Sequence, residues 1–208
     1  MTFAAEGLAC IRGERLVFEG VGFTLAPGEA LVLEGPNGSG KSSLLRLCAG
    51  LLAPAAGRLT WVGEDIAEDP EAHSARLQFV GHLDAVKPAF GVLENLAFWA
   101  RLRGGGGAAC LAALERFGLG DLAEVPARFL SAGQKRRLNL ARLLASDGAM
   151  LWLLDEPTTS LDRAASELLA AVIEQHCRNG GMVIAATHLD LGLRSARRLD
   201  LQTFAVAA

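Results

Sequence analysis

"GPNGSGKS", residues 35–42, follows the apolar run "ALVLE" (30–34) and leads into "SLLRLCAGLL" (43–52). It fits G-x-x-x-x-G-K-[ST] at every fixed position. The run before it reads as a buried strand, and the segment after it as a helix that stops near Pro54. Gly35, Gly38 and Gly40 let the backbone curl until successive N–H groups point at phosphate oxygens. The candidate ATP-binding residues are therefore Gly35, Pro36, Asn37, Gly38, Ser39, Gly40, Lys41, Ser42 and Ser43. Lys41 brings a point charge to the outer two phosphates, and the Ser42 hydroxyl completes a Mg²⁺ shell.

Further along, "AMLWLLDE" (149–156) is a continuous apolar run of the kind expected from a strand covered on both faces. It ends in Asp155 and Glu156. A carboxylate at the end of a buried strand is costly unless it faces a cation or its water shell, which makes Asp155 the second candidate Mg²⁺ residue. Glu156 is placed to polarise water for in-line attack on the γ-phosphate. His188 closes the next buried run, "MVIAATH" (182–188), on the edge where parallel sheets bind ligands, and is a candidate γ-phosphate sensor.

Between these anchors the pattern alternates. Residues 1–29 read as hairpin material ending in the turn Pro27-Gly28, and "GRLTWVGEDI" (57–66) and "ARLQFVGH" (75–82) as further strands. Helical patterns follow at "VLENLAFWARLRG", "CLAALERFG" and "AGQKRRLNLARLLAS", with "GGGG" (104–107) expected as a mobile loop between two of them. "RAASELLAAVIEQHCRNGG" (163–181) is a helix closed by a Gly-Gly cap. This is an α/β chain: a parallel core with an inserted helical subdomain. Its expected division is a mainly antiparallel part at 1–29, a nucleotide-binding core at 30–82 and 146–208, and a helical subdomain at about 83–145.

The bulk composition narrows the partners. Of the 208 residues, 51% are hydrophobic and 21% charged, as in globular chains. A net charge of −3 speaks against a nucleic-acid-binding surface. The clusters Lys135-Arg136-Arg137 and Arg197-Arg198 read as solvated faces or ion-pair partners. The four cysteines show no metal-ligand spacing and read as idle thiols. The start lacks a secretory layout, and no window reaches the ~20 apolar residues of a membrane span. The expectation is a soluble, cytoplasmic protein.

One further stretch, "LSAGQKRRL" (130–138), starts a helix with a serine and a glycine, which suit an anion. In sequence order "GPNGSGKS", "LSAGQ", "LWLLDE", "SLD" and His188 together resemble the ATP-binding-cassette (ABC) family, over essentially the whole chain. The resemblance implies a P-loop NTPase (ABC ATPase) core of mixed or parallel sheet, with an N-terminal antiparallel β subdomain and a helical insertion. It implies an ATP hydrolase acting as a homodimer with ATP and Mg²⁺. In such a dimer Leu130, Ser131, Ala132, Gly133 and Gln134 would cap the ATP held by the second copy, and Ser160, Leu161 and Asp162 would form the loop crossing the seam.

Two positions depart from the family pattern. Where an aromatic commonly stacks on adenine, "IRGER" puts Arg12, whose guanidinium plane can stack instead, with Phe18 as a nearby aromatic. Where a lid glutamine is expected after "LQFV", the chain has His82, and Gln78 lies too early, inside the strand. His82 would then face Mg²⁺ and the lytic water. "FVGHLDAVKPAFGVLENLAFWARLRG" is similar to the haem-exporter ATPases of bacterial cytochrome c maturation, the CcmA type. That likeness implies integral membrane subunits of the CcmB and CcmC type, docked near residues 82–103, and a peripheral place on the cytoplasmic side of the inner membrane. Phe90, Phe98 and Trp99 would either meet those subunits or fill the subdomain core. Another ABC transporter ATPase remains open, as does a soluble cassette acting on ribosomes or nucleic acid.

Overall fold

The computed structural model describes residues 1–146 and 148–205. In chain order its elements are β1 (Phe3–Arg12), β2 (Arg15–Leu25), β3 (Ala30–Glu34), α1 (Lys41–Cys48), β4 (Ala56–Trp61), β5 (Glu64–Asp65), α2 (Pro70–Ala75) and β6 (Leu77–Val80). They continue as α3 (Val92–Arg101), α4 (Gly107–Arg116), α5 (Ala132–Ala141), β7 (Leu151–Asp155), α6 (Arg163–Arg178), β8 (Met182–Ala186) and β9 (Arg197–Asp200).

The hairpin β1–β2 closes through Gly13 (φ 55°) and Glu14 (φ 65°), both left-handed, as the twist of a two-residue turn requires. The antiparallel sheet takes in two later strands, giving the order β2-β1-β4-β5. β4 lies against β1 with Phe3 opposite Trp61, and a Cβ at Gly57 would fall 2.4 Å from the Glu6 carbonyl, so only glycine lets the two backbones approach.

The second sheet is parallel, in the order β6-β7-β8-β3-β9. Its central strands are apolar, but for the acidic residues that end β3 and β7, because both faces are covered. Leu31, Leu33, Leu151, Leu153 and Ile184 pack toward α1 and the antiparallel sheet. Val32, Trp152, Leu154, Val183 and Ala185 pack toward α6 and the helical layer. With every strand running the same way, the loops after β3, β6, β7 and β8 all emerge on one edge, where ligands bind such sheets.

Two local expectations are refined and a third holds. α1 ends at Cys48, before the proline, because Gly50 (φ 69°) turns left-handed and Leu51 N–H bonds back to the Arg46 carbonyl at 2.9 Å. "GGGG" is a short exposed turn anchored at one residue: Gly107 opens α4, Gly105 N–H donates to the Ala100 carbonyl at 2.8 Å, and a Cβ on Gly105 would sit 2.3 Å from the Ala145 carbonyl. The Gly-Gly cap of α6 holds, with Gly180 (φ 86°) closing the helix onto the Cys177 carbonyl.

Two histidines, His73 buried and His176 half-buried, give the fold a pH dependence. His73 Nε2 meets the Cys48 carbonyl at 2.8 Å, and His176 stacks on Trp152 with ring centres 3.7 Å apart. Burial lowers the pKa of both below the ordinary 6.5, so both are neutral in the fold. Below about pH 6.5 the unfolded chain takes up protons that the folded chain refuses. The stability they contribute is therefore full above that pH and is lost as pH falls toward the folded values. Melting curves from pH 8 to pH 5 should show Tm falling below about 6.5, and a His73→Gln, His176→Gln double variant should flatten that slope.

Candidate active site

The phosphate loop runs from the end of β3 to the start of α1. Pro36, Asn37 and Gly38 are exposed at its tip, whereas Ser39 and Lys41 are buried beneath. Gly35 (φ 132°), Gly38 (φ 85°) and Gly40 (φ 98°) are all left-handed. A Cβ on Gly40 would come within 2.8 Å of Val17 and of the Phe18 ring, so β2 braces the loop from behind. Lys41 Nζ donates to the Gly35 carbonyl at 2.7 Å and the Pro36 carbonyl at 3.2 Å, which folds the ammonium over the loop. Ser39 Oγ is buried without a hydrogen-bond partner among the described residues, an orphan donor at the mouth of an anion cradle.

Ser42 Oγ, the first hydroxyl of α1, donates to Asp155 Oδ1 at 2.9 Å, across 113 residues of sequence. This joins the two groups expected to share a cation. Asp155 is 2% exposed at the end of β7. Glu156 follows with φ 48°, a left-handed turn that a non-glycine residue adopts only at a cost of about 1–3 kcal/mol. That turn brings Glu156 Oε2 to 2.8 Å from His188 Nδ1. With an ionised carboxylate the shared proton sits on Nδ1, so the histidine fixes the carboxylate's direction.

The remaining expected residues divide. Phe18 is fully buried against Gly40 and cannot present its face to a base; Arg12, exposed at the tip of β1, can. Ser43 lies half-buried with its hydroxyl beside the Cys10 thiol of β1. Gln78 sits inside β6, 2% exposed, with Nε2 bonded to the Arg142 carbonyl at 2.8 Å, as its early position implied. The His82 ring is exposed, and among the described residues it makes no side-chain hydrogen bond.

Ser131 caps α5. Its Oγ accepts the Gln134 N–H at 3.2 Å while Gln134 Oε1 accepts the Ser131 N–H at 2.8 Å, a reciprocal box. Because the hydroxyl accepts in that box, its own proton stays free for an outside anion. Leu130 is buried, Ala132 exposed, and a Cβ on Gly133 would sit 2.8 Å from the Ser160 carbonyl. The signature turn thus rests directly on the loop of Ser160 (φ 64°), Leu161 and Asp162, whose last residue caps α6 through the Ala165 N–H at 2.7 Å.

Sequence reasoning missed Arg136. Its side chain is 2% exposed and paired with Asp84 at 3.1 Å, so the solvated-face alternative fails for it and the ion-pair one holds. A signal was present: Arg136 shares a helix face with Asn139 and Leu140, both buried. Arg198 is likewise an ion-pair residue, bonded to Glu34.

A glycine loop, a hydroxyl–carboxylate pair, a glutamate braced by a histidine and an exposed helix cap on one molecule are the parts expected of a nucleoside triphosphatase. The ABC transporter family profile matches residues 18–159, and the chain belongs to that family as one of its ATP-binding, ATP-hydrolysing proteins. It is 59% identical over 210 residues to the cytochrome c biogenesis ATP-binding export protein CcmA of Paramagnetospirillum magneticum, covering 99% of this chain and 96% of that one. The protein of the same name from Rhodospirillum rubrum is 59% identical over 203 residues, covering 98% and 87%. In fold it resembles a putative ABC transporter ATP-binding protein from Pyrococcus furiosus, with TM-score 0.85, 24% identity and 99% and 100% coverage. It also resembles a dimeric, post-hydrolysis ATP-binding cassette bound to ADP and Pi, with TM-score 0.79, 23% identity and 90% and 88% coverage.

Proposed function

We propose that this chain is the ATP-hydrolysing subunit of a membrane complex that exports haem, or releases it to a chaperone, for c-type cytochrome biogenesis. The observation that carries the proposal is the 59% identity over 99% of the chain to a protein named for cytochrome c biogenesis export. The working unit is a homodimer, in which Ser131, Gly133 and Gln134 of one copy close on the ATP held by Lys41 of the other. ATP binding closes the dimer and hydrolysis reopens it. Arg12 stacks on the adenine, and Glu156 takes the proton from the attacking water while His188 holds its carboxylate.

Ser42 and Asp155 would hold Mg²⁺, which would neutralise charge on the phosphates. The donor set fits: one hydroxyl and one carboxylate 2.9 Å apart leave the other positions to phosphate and water, as Mg²⁺ prefers. His82, exposed in the loop after β6, is the lid residue assigned to this centre.

Partner subunits of the CcmB and CcmC type dock on the groove beside the lid. Leu51 (66% exposed), Leu83 (83%) and Leu102 (65%) offer an apolar rim there, and Trp99, pinned by a 3.2 Å bond to the Ala85 carbonyl, forms its wall. Phe90 and Phe98 are about half exposed at 46% and 48%, so neither is core; α3 gives the core Val92, Leu96 and Ala100. Among the described residues no helix is long and apolar enough to cross a membrane. The place proposed for the chain is peripheral, on the cytoplasmic side of the inner membrane, through those partners.

Deleting the gene and staining the cytochrome c pool for covalent haem tests the proposal. Loss of stain, restored by the wild-type gene and not by Glu156→Gln, is expected. Normal stain in the deletion strain would refute the role in haem export and leave the ATPase chemistry standing.

A further inference from the structure

We propose that Arg136 is a positioning residue for hydrolysis: its buried guanidinium holds the backbone turn that aims Glu156 and locks that turn to the lid loop.

Arg136 extends inward from α5, one helical turn beyond the Ser131 cap. A buried guanidinium is tolerated only when its donors are matched, and Arg has five N–H groups. Nε donates to the Pro157 carbonyl at 3.2 Å. Nη2 donates to the Asp155 carbonyl at 2.8 Å and the Glu156 carbonyl at 2.7 Å. Nη1 donates to the Gly81 carbonyl at 3.0 Å and to Asp84 Oδ1 at 3.1 Å, with the His82 carbonyl further off at 3.4 Å. Every donor is used.

The acceptors explain the role. Three successive carbonyls, of Asp155, Glu156 and Pro157, converge on one cation. Successive carbonyls in extended chain alternate in direction, and these converge where Glu156 takes its left-handed φ of 48°. Without a cation the converging dipoles would repel one another in a buried place and the turn would relax. The same turn carries the Glu156 carboxylate to His188. The guanidinium therefore offsets the strain that points the base.

The other half of the fork binds the lid. Gly81 and Asp84 flank His82 in the loop after β6, so lid, catalytic turn and signature helix meet at one side chain. Movement of the lid must then shift the guanidinium, and with it Glu156. A lysine at this position keeps the charge but presents a point donor, which cannot serve three carbonyls and the lid at once.

The test is ATPase kinetics of the purified protein with Arg136→Lys and Arg136→Gln, alongside ATP binding and thermal melting. Both variants should lose kcat by up to about 10²-fold, the scale for displacing a catalytic group by an ångström, with KM and ATP affinity changed less than about threefold because the Lys41 cradle is untouched. Adding guanidinium ion at millimolar, non-denaturing concentration to Arg136→Ala should recover part of kcat. Wild-type kcat in Arg136→Gln, or a rise in KM that matches the fall in kcat/KM, would overturn the proposal. Should these variants fail to fold, Asp84→Ala carries it. That change leaves the carbonyl clamp and the Gly81 bond but removes the ion pair to the lid, loosening the lock, and should lower kcat severalfold with KM unchanged; wild-type kcat there would overturn the lock between lid and base.

Discussion

Glu156→Gln is expected to abolish turnover, by ~10²–10⁴-fold in kcat, while leaving ATP affinity within a fewfold of wild type. The amide matches the carboxylate in shape and still offers an oxygen to His188 Nδ1, which lies 2.8 Å from Oε2 in the native protein. The left-handed turn at Glu156 is a backbone feature, held by the 2.8 Å bond from Glu156 N–H to the Ala186 carbonyl, so the fold and the aim of the side chain survive. What is lost is basicity: an amide cannot take a proton from water. A loss on that scale corresponds to about 3–5 kcal/mol of transition-state stabilisation, with no matching loss in ground-state binding through Lys41 and the glycine loop. On the proposal that hydrolysis reopens the dimer, the variant should remain dimeric on gel filtration with ATP and return to monomer when ATP is removed. Single-turnover ATPase rates and gel filtration read the two effects separately. Turnover at the wild-type rate would remove Glu156 from the role of base.

The residues concerned show what the sequence could carry. The strands that flank the site, β3, β7 and β8, are legible because both of their faces are buried, which forces continuous apolar runs such as "LWLLD". β9 is not legible: "RRLD" is a polar edge strand that pairs with β3 alone. Its long-range ties, Arg197 Nη1 to the Thr24 carbonyl at 2.6 Å and Arg198 to Glu34, leave no local pattern. α2 had a signal that went unread, Asp69 capping the Ala72 N–H with Pro70 at the first helical position. In the site, the glycine loop and the carboxylate pair are fixed by spacing. The Ser42–Asp155 contact needs the sheet order to close 113 residues of chain, yet both partners were recognisable singly. Arg136 was hidden among three adjacent basic residues, only one of which turns inward. The separation lies in helix phase: Arg136 falls on the face of Asn139 and Leu140, whereas Arg137 reaches sideways to the Phe117 carbonyl at 3.0 Å.

Ser131→Arg should leave ATP binding by the single chain intact and destroy the shared site. The substitution removes the cap on α5, costing about 0.5–2 kcal/mol, and places a cation at a helix N-terminus, costing about 0.3–1 kcal/mol more. A domain stable by about 5–15 kcal/mol tolerates both. The loop of Lys41 lies on a different element, so ATP affinity of the monomer should match wild type. The exposed hydroxyl at 131 is replaced by a side chain too long for the turn, beside a Gly133 that already has no room for a Cβ against the Ser160 carbonyl. ATP-dependent dimerisation should be lost, and hydrolysis with it. The assignment of this turn to the other copy's nucleotide is then open to complementation. Ser131→Arg has a sound loop and base, Glu156→Gln has a sound signature turn, and each alone is inactive. Mixed before ATP is added, they form hybrids with one complete site, in which Lys41 and Glu156 come from the first chain and Ser131 from the second. Turnover in the mixture, absent from either variant alone, is the expected result. If the mixture stays inactive while hybrids are shown to form, Ser131 does not serve the opposite nucleotide.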